Sequence, residues 1–239
     1  MPKRDQHYVP QFYLRFFSSE VSKRTISLYS LRSDNIVHGA SIRNQCARPW
    51  FYGKNGVIEE NLAQIEAATG AVLHRIRAER RLPPTHTPDY SWLLFFAAVQ
   101  GLRTNRVMQE GIELERKVSA LLFRGDEEAE ARFFGGPPPY TPLDLRLSSA
   151  KITAQCYADL SALLVAAPRH HGFLTSDHPV ALYNQLLQEY SSHRGTTGAA
   201  ASGLQVFLPL SPNLCVLLFD DDVYRMLPRR RGGPIRATE

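Results

Sequence analysis

Cysteine is scarce. Cys46, Cys156 and Cys215 are the three in 239 residues, and no two of them form a C-x-x-C pair. That pattern argues against a zinc cluster or a disulfide framework and suits a reducing, cytoplasmic setting. Long apolar runs are lacking as well. The longest, residues 92–99, is too short to cross a bilayer, so no membrane partner is expected. The basic opening, residues 1–5, leads into no apolar stretch of the signal-peptide kind. There is no internal repeat, no phosphate-cradling glycine loop, and no pair of glycines around Ser176 that would make it a hydrolase serine.

What the chain does contain is ordinary globular material, 44% hydrophobic and 21% charged residues. Its length suits one α+β domain over residues 1–225, followed by a basic, irregular tail over 226–239. The formal charge of +5 and pI of about 9.2 are compatible with a polyanionic partner such as nucleic acid.

The most informative stretch is Lys3-Arg4-Asp5-Gln6-His7-Tyr8-Val9-Pro10-Gln11-Phe12-Tyr13-Leu14-Arg15-Phe16-Phe17. Polar groups able to hydrogen-bond a ligand, His7 and Gln11, stand among five rings able to bury themselves. Pro10 biases Val9 towards extended backbone, which predicts a short strand before it and helical turns after it.

Alternation over residues 25–31 and turn residues at 32–35 predict a β-hairpin, and residues 46–52 a third extended segment. Residues 56–80 read as an amphipathic helix with Leu62, Ile65, Thr69, Val72, Leu73 and Ile76 on one stripe. Winding at about 100° per residue places Glu66 and Glu59 together on the shoulder of that stripe and turns Glu60 nearly opposite. A second helix is predicted over 90–123, capped by Asp89 or Ser91, with an apolar first half that makes it the buried central helix. Arg103 on that helix, with Gln100 close by, needs an anionic partner: Glu66, Asp177, or a bound phosphate or carboxylate. A third helix is predicted over 148–165, with Ile152, Cys156, Leu160 and Leu163 inward. Residues 172–183 read as a strand broken at a polar turn that presents Ser176 and Asp177. A last hairpin spans 203–219, and flexible loops are expected near 125–142 and 190–203.

Several of these pieces carry a resemblance. His7-Tyr8-Val9-Pro10-Gln11-Phe12-Tyr13-Leu14-Arg15 is similar to the opening motif of a mainly bacterial family, domain of unknown function 4238. Matches follow in the family's order at Glu60-Asn61-Leu62 with Ile65-Glu66, Arg103-Thr104, Thr175-Ser176-Asp177-His178-Pro179 and Leu208-Pro209-Leu210-Ser211-Pro212. The family usually has Pro after the Arg-Thr pair, Asn where His178 stands, and a further segment past the final strand. The resemblance implies no established activity. It points to Glu60 where winding points to Glu59, and both support Glu66.

The fold class expected is α+β, a buried helical core of three main helices packed with small antiparallel hairpins. The candidate site gathers His7, Glu66, Arg103 and Asp177 as catalytic groups and Gln11, Ser176 and Gln100 as ligand-binding groups. Phosphodiester or other phosphoester chemistry suits that set. His7 would move protons, Arg103 would neutralise charge, and the acids would orient the base or hold Mg²⁺ or Mn²⁺. A nuclease acting on nucleic acid, in bacterial defence, is the reading this favours. A non-catalytic module gripping an anionic ligand or partner is the alternative.

Overall fold

The computed structural model describes residues 3–124, 126–134, 141–188, 196–225 and 235–236. An opening strand, β1 (Asp5–His7), leads through Pro10 into a short helix, α1 (Gln11–Leu14), and a 3-10 turn over Arg15–Phe17. Pro10 makes the switch. Its backbone is extended, and its carbonyl accepts from the N–H groups of Tyr13 and Leu14. Strands β2 (Thr25–Ser30) and β3 (Asn35–Ser41) form the expected hairpin. Then β4 (Ala47–Pro49) returns antiparallel to β1, pairing Gln6 with Arg48 and His7 with Ala47.

Helix α2 (Val57–Glu79) carries the predicted buried stripe of Leu62, Thr69, Val72, Leu73 and Ile76. The predicted second helix is two helices, α3 (Pro88–Leu102) and α4 (Asn105–Phe123). The chain breaks at Arg103 and Thr104, where Thr104 turns extended (φ −82°, ψ 160°). Thr104 is fully buried, and its hydroxyl lies 2.6 Å from His178 Nδ1, so a tertiary bond holds the break open. The cap of α3 is Thr87, which accepts from Tyr90 N–H; Asp89 and Ser91 do not serve. Helix α3, which takes the first half of the predicted one, is the central buried helix, with Leu93, Leu94, Phe96, Ala97, Ala98 and Val99 all inward.

Beyond α4 the acidic stretch expected as loop winds into α5 (Glu127–Phe134), and α6 (Pro142–Ser148) and α7 (Ala150–Ala158) follow. The predicted third helix therefore stops short. Residues 161–166 are strand β5 (Ser161–Ala166), held by full antiparallel pairing to a late strand, and Ile152 is 64% exposed. Only Ala181–Tyr183 of the 172–183 segment is strand, β6. The last hairpin is β7 (Gln205–Ser211) and β8 (Leu214–Phe219), and β9 (Ile235–Arg236) adds parallel to β5. The tail expected to be irregular thus contributes a strand pair. Sheet order is β6-β7-β8-β5-β9, antiparallel apart from β9. Most of the tail, residues 135–140 of the first expected loop and residues 190–195 of the second lie outside the described residues.

The architecture is α+β. A continuous core runs from Tyr8 and Val9 through Phe96 and Leu143 to Leu218, with Phe12, Tyr13 and Phe16 clustered on Phe96 or on one another. Among the described residues no helix is long and apolar enough to cross a membrane.

Candidate functional site

The opening strand is clamped from three sides. Gln6, fully buried, donates to Gly53 O (3.0 Å) and accepts from Tyr52 N–H (2.6 Å). Trp50 N–H bonds Arg4 O, and Tyr8 N–H bonds Cys46 O. Tyr52 donates its hydroxyl proton to His7 O (3.2 Å). These bonds fix the strand so that His7 faces a cleft of about 920 Å³, half open to solvent.

Three elements line this cleft. From the opening come Lys3, Arg4, Asp5, His7, Gln11 and Arg15, from the turn after β3 come Arg43 and Asn44, and from α2 come Glu59 and Glu66. Glu59 and Glu66 share the wall because seven residues are nearly two whole turns, about 10 Å along the axis. Glu60 points away and is exposed. The helix period, not the motif, selects the carboxylate that reaches the cleft.

His7 Nε2 lies 3.0 Å from Arg43 O. A carbonyl can only accept, so Nε2 carries the proton and Nδ1 keeps its lone pair. Gln11 Nε2 approaches the same nitrogen at 3.4 Å, and Gln11 Oε1 accepts from Arg15. Burial lowers the His7 pKa from 6.5; the Arg43 carbonyl, Glu66 and Asp5 oppose it, and Lys3 adds to it. Glu59 shows the reverse. Burial raises its carboxyl, Glu66 adds to the rise, and Lys3 and Arg103 resist it. Its Oε2 is sealed from solvent and has no hydrogen-bond partner.

Arg103 does not reach the ligand space. It is 1% exposed, donates NH1 to Glu66 Oε1 (2.8 Å) and donates Nε to Gln100 Oε1 (2.9 Å). Gln100 is fully buried and gives its amide N–H to Tyr8 O (2.9 Å), so both ends of this side chain are committed. Arg103 and Gln100, expected among the catalytic and ligand-binding groups, are placed as a buried brace behind Glu66, the internal partner named for Arg103 from the sequence. Burying a guanidinium is tolerable here because one charge and one neutral acceptor meet it.

Ser176 and Asp177 do not line the cleft either. Ser176 is exposed and bonds the backbone of His178 at both N and O, an ordinary turn device. Thr175 meets Tyr13 OH (3.2 Å) and His178 meets Thr104, so the turn ties the opening segment to the α3–α4 break. Asp177 is left exposed, where its charge raises the Tyr8 hydroxyl and the Cys46 thiol secondarily to burial. His7, Gln11 and Glu66 thus share one cleft, Arg103 and Gln100 stand behind it, and Ser176 and Asp177 lie apart.

The residues that sequence reasoning passed over are Lys3, Arg4, Arg15, Arg43 and Tyr52. Four cations face three carboxylates, Asp5, Glu59 and Glu66, and Arg103 already neutralises Glu66. Lys3, Arg4 and Arg15 stood in or beside the opening motif and could have been found there. Nothing in the pattern around Arg43 marks it. Among the described residues no three His, Cys, Asp or Glu side chains converge as metal ligands, so Mg²⁺ or Mn²⁺ finds no three-ligand cluster in this set.

Three histidines, His7, His74 and His178, have pKa values lowered by burial. The unfolded chain then binds more protons than the fold as pH drops through 6.5, and the fold loses stability towards acid. Glu59, raised from 4.5, works in the opposite sense at lower pH. Denaturation midpoints should fall between about pH 7 and about pH 5, and His7→Gln should flatten that slope in urea titrations at several pH values. An unchanged slope would show that His7 titrates alike in both states.

No curated protein and no solved structure gives a significant match to the chain. The profile of the family described as Protein of unknown function (DUF4238) matches residues 5–231, which takes in the clamped opening, the cleft, the Arg103 brace and the last hairpin. The chain belongs to this DUF4238 family.

Proposed function

We propose that the cleft takes the phosphates of nucleic acid and that the protein is a nuclease or a related phosphoesterase. One observation carries the reading: a neutral imidazole with an uncommitted nitrogen, two helical carboxylates and four cationic side chains share a half-open cleft. His7 is the proton-transfer group, since its Nε2–H is spent on Arg43 O and Nδ1 is left to accept. Lys3, Arg4, Arg15 and Arg43 attract the phosphate and offset charge that develops on it. Glu66 is held in place by Arg103 and bears on His7 electrostatically.

The test is incubation of purified protein with mixed RNA and DNA, with and without Mg²⁺ or Mn²⁺. Cleavage of at least one polymer, weakening as salt rises, is the expected result. Salt-dependent binding without cleavage would replace the enzyme by a recognition module, and neither binding nor cleavage would remove nucleic acid altogether.

A further inference from the structure

Resting on that phosphoesterase reading, we infer that the substrate is RNA and that its own 2′-hydroxyl is the nucleophile, with His7 as base and Glu59 as acid. The lining residues decide this. They include no serine, threonine or cysteine, and the hydroxyl of Tyr52 is donated to His7 O. With no hydroxyl or thiol to attack the phosphorus, and with His7 and Glu59 taken as proton carriers, the nucleophile comes with the substrate or from solvent. A ribose holds its 2′-oxygen beside the phosphorus, an arrangement worth an effective molarity of about 10⁵–10⁸ M, whereas a water must be captured and aimed. A cleft furnished with proton carriers and cations is sufficient for the first route.

The groups fit the two proton transfers. His7 Nδ1 has its lone pair turned free by the bond from Nε2–H to Arg43 O. Glu59 lines the cleft with Oε2 sealed from solvent and unpartnered, a setting in which a carboxyl keeps its proton more readily than a carboxylate keeps its charge, and with Oε1 left to carry that proton to the substrate. Lys3 lines the same cleft as both groups, a cation beside the phosphate they would flank.

In the step, the O2′–P bond forms and the P–O5′ bond breaks. The proton of the 2′-hydroxyl goes to His7 Nδ1, and the proton of Glu59 goes to O5′. The products are a 2′,3′-cyclic phosphate and a 5′-hydroxyl. No electrons are exchanged with any other reagent, and the two side chains recover their starting forms by returning a proton through solvent.

Three oligonucleotides of one mixed sequence test this with the full chain in EDTA: all-ribose, the same strand with a single 2′-deoxy residue, and the same strand with sulfur at one 5′-bridging position. The all-ribose strand should yield 2′,3′-cyclic phosphate and 5′-hydroxyl ends. The linkage after the 2′-deoxy residue should resist by about 10³-fold or more. Glu59→Gln should slow the all-ribose strand about 10²-fold, yet leave the thio linkage within a few-fold of the unaltered protein, because a thiolate departs without an acid. Cleavage of the 2′-deoxy linkage, or 3′-hydroxyl and 5′-phosphate ends, would overturn the inference and leave the nuclease reading standing. An equal loss on oxygen and sulfur linkages would remove Glu59 from the role of acid. No cleavage of any strand in EDTA would overturn the inference, and no cleavage of RNA or DNA with Mg²⁺ or Mn²⁺ added would end the nuclease reading as well.

Discussion

Arg103→Ala is expected to destabilise the fold by about 3 kcal/mol, read as a lower urea midpoint at unchanged slope. Removing one partner of a buried ion pair usually costs about 3–5 kcal/mol. The lower end applies because Glu66 keeps 29% of its side-chain surface in contact with water. The substitution would also orphan Gln100 Oε1 and open a void against the core, since Arg103 is among the largest fully buried side chains. Arg103→Met combined with Glu66→Gln should recover much of the loss, as replacing a buried charge pair by packed neutral groups is often close to neutral. A midpoint for Arg103→Ala close to the unaltered protein's would show that the brace behind the cleft is not holding its wall.

His7→Ala should lower catalysis of nucleic-acid cleavage about 10²–10⁴-fold. Stability should fall by only about 1 kcal/mol, the net worth of the lost bond to Arg43 O. In the unaltered protein the rate should climb with pH through a value below 6.5, since burial disfavours the imidazolium and only the neutral ring accepts a proton. Added imidazole should restore part of the rate to the alanine variant, an effect that a purely structural histidine would not show. Loss of folding together with activity would instead place His7 among the clamps that hold the opening strand.

Much of the fold was legible because single elements follow their own period. The α2 stripe, the β2–β3 and β7–β8 hairpins and the shared face of Glu59 and Glu66 all come from local repeats of 3.6 or 2. What was illegible depends on distant partners. Apolar periodicity runs straight through Arg103 and Thr104, and only the meeting of Thr104 with His178, 74 residues away, explains the break. Residues 161–165 suit a helix or a buried strand equally, and pairing with β8 decides between them.

The candidate site divided for the same reason. Polar residues at a strand end look alike whether they meet a ligand or hold a turn, so Ser176 and Asp177 could not be told from functional groups in one dimension. Arg103 demanded an anion, and the sequence offered both Glu66 and a ligand. The fold answers with Glu66. Arg43 was invisible because it enters through a backbone carbonyl and a short 3-10 turn, neither of which leaves a pattern.

Tyr13 gives its hydroxyl proton to Pro209 O, a partner 196 residues further along the chain. Translation proceeds from the first residue to the last, so the opening aromatic cluster leaves the ribosome long before that carbonyl exists. Until β7 emerges, the rings around Tyr13 have Phe96 and one another but not that strand, and the nascent chain spends much of its synthesis with this side of the cluster unclosed.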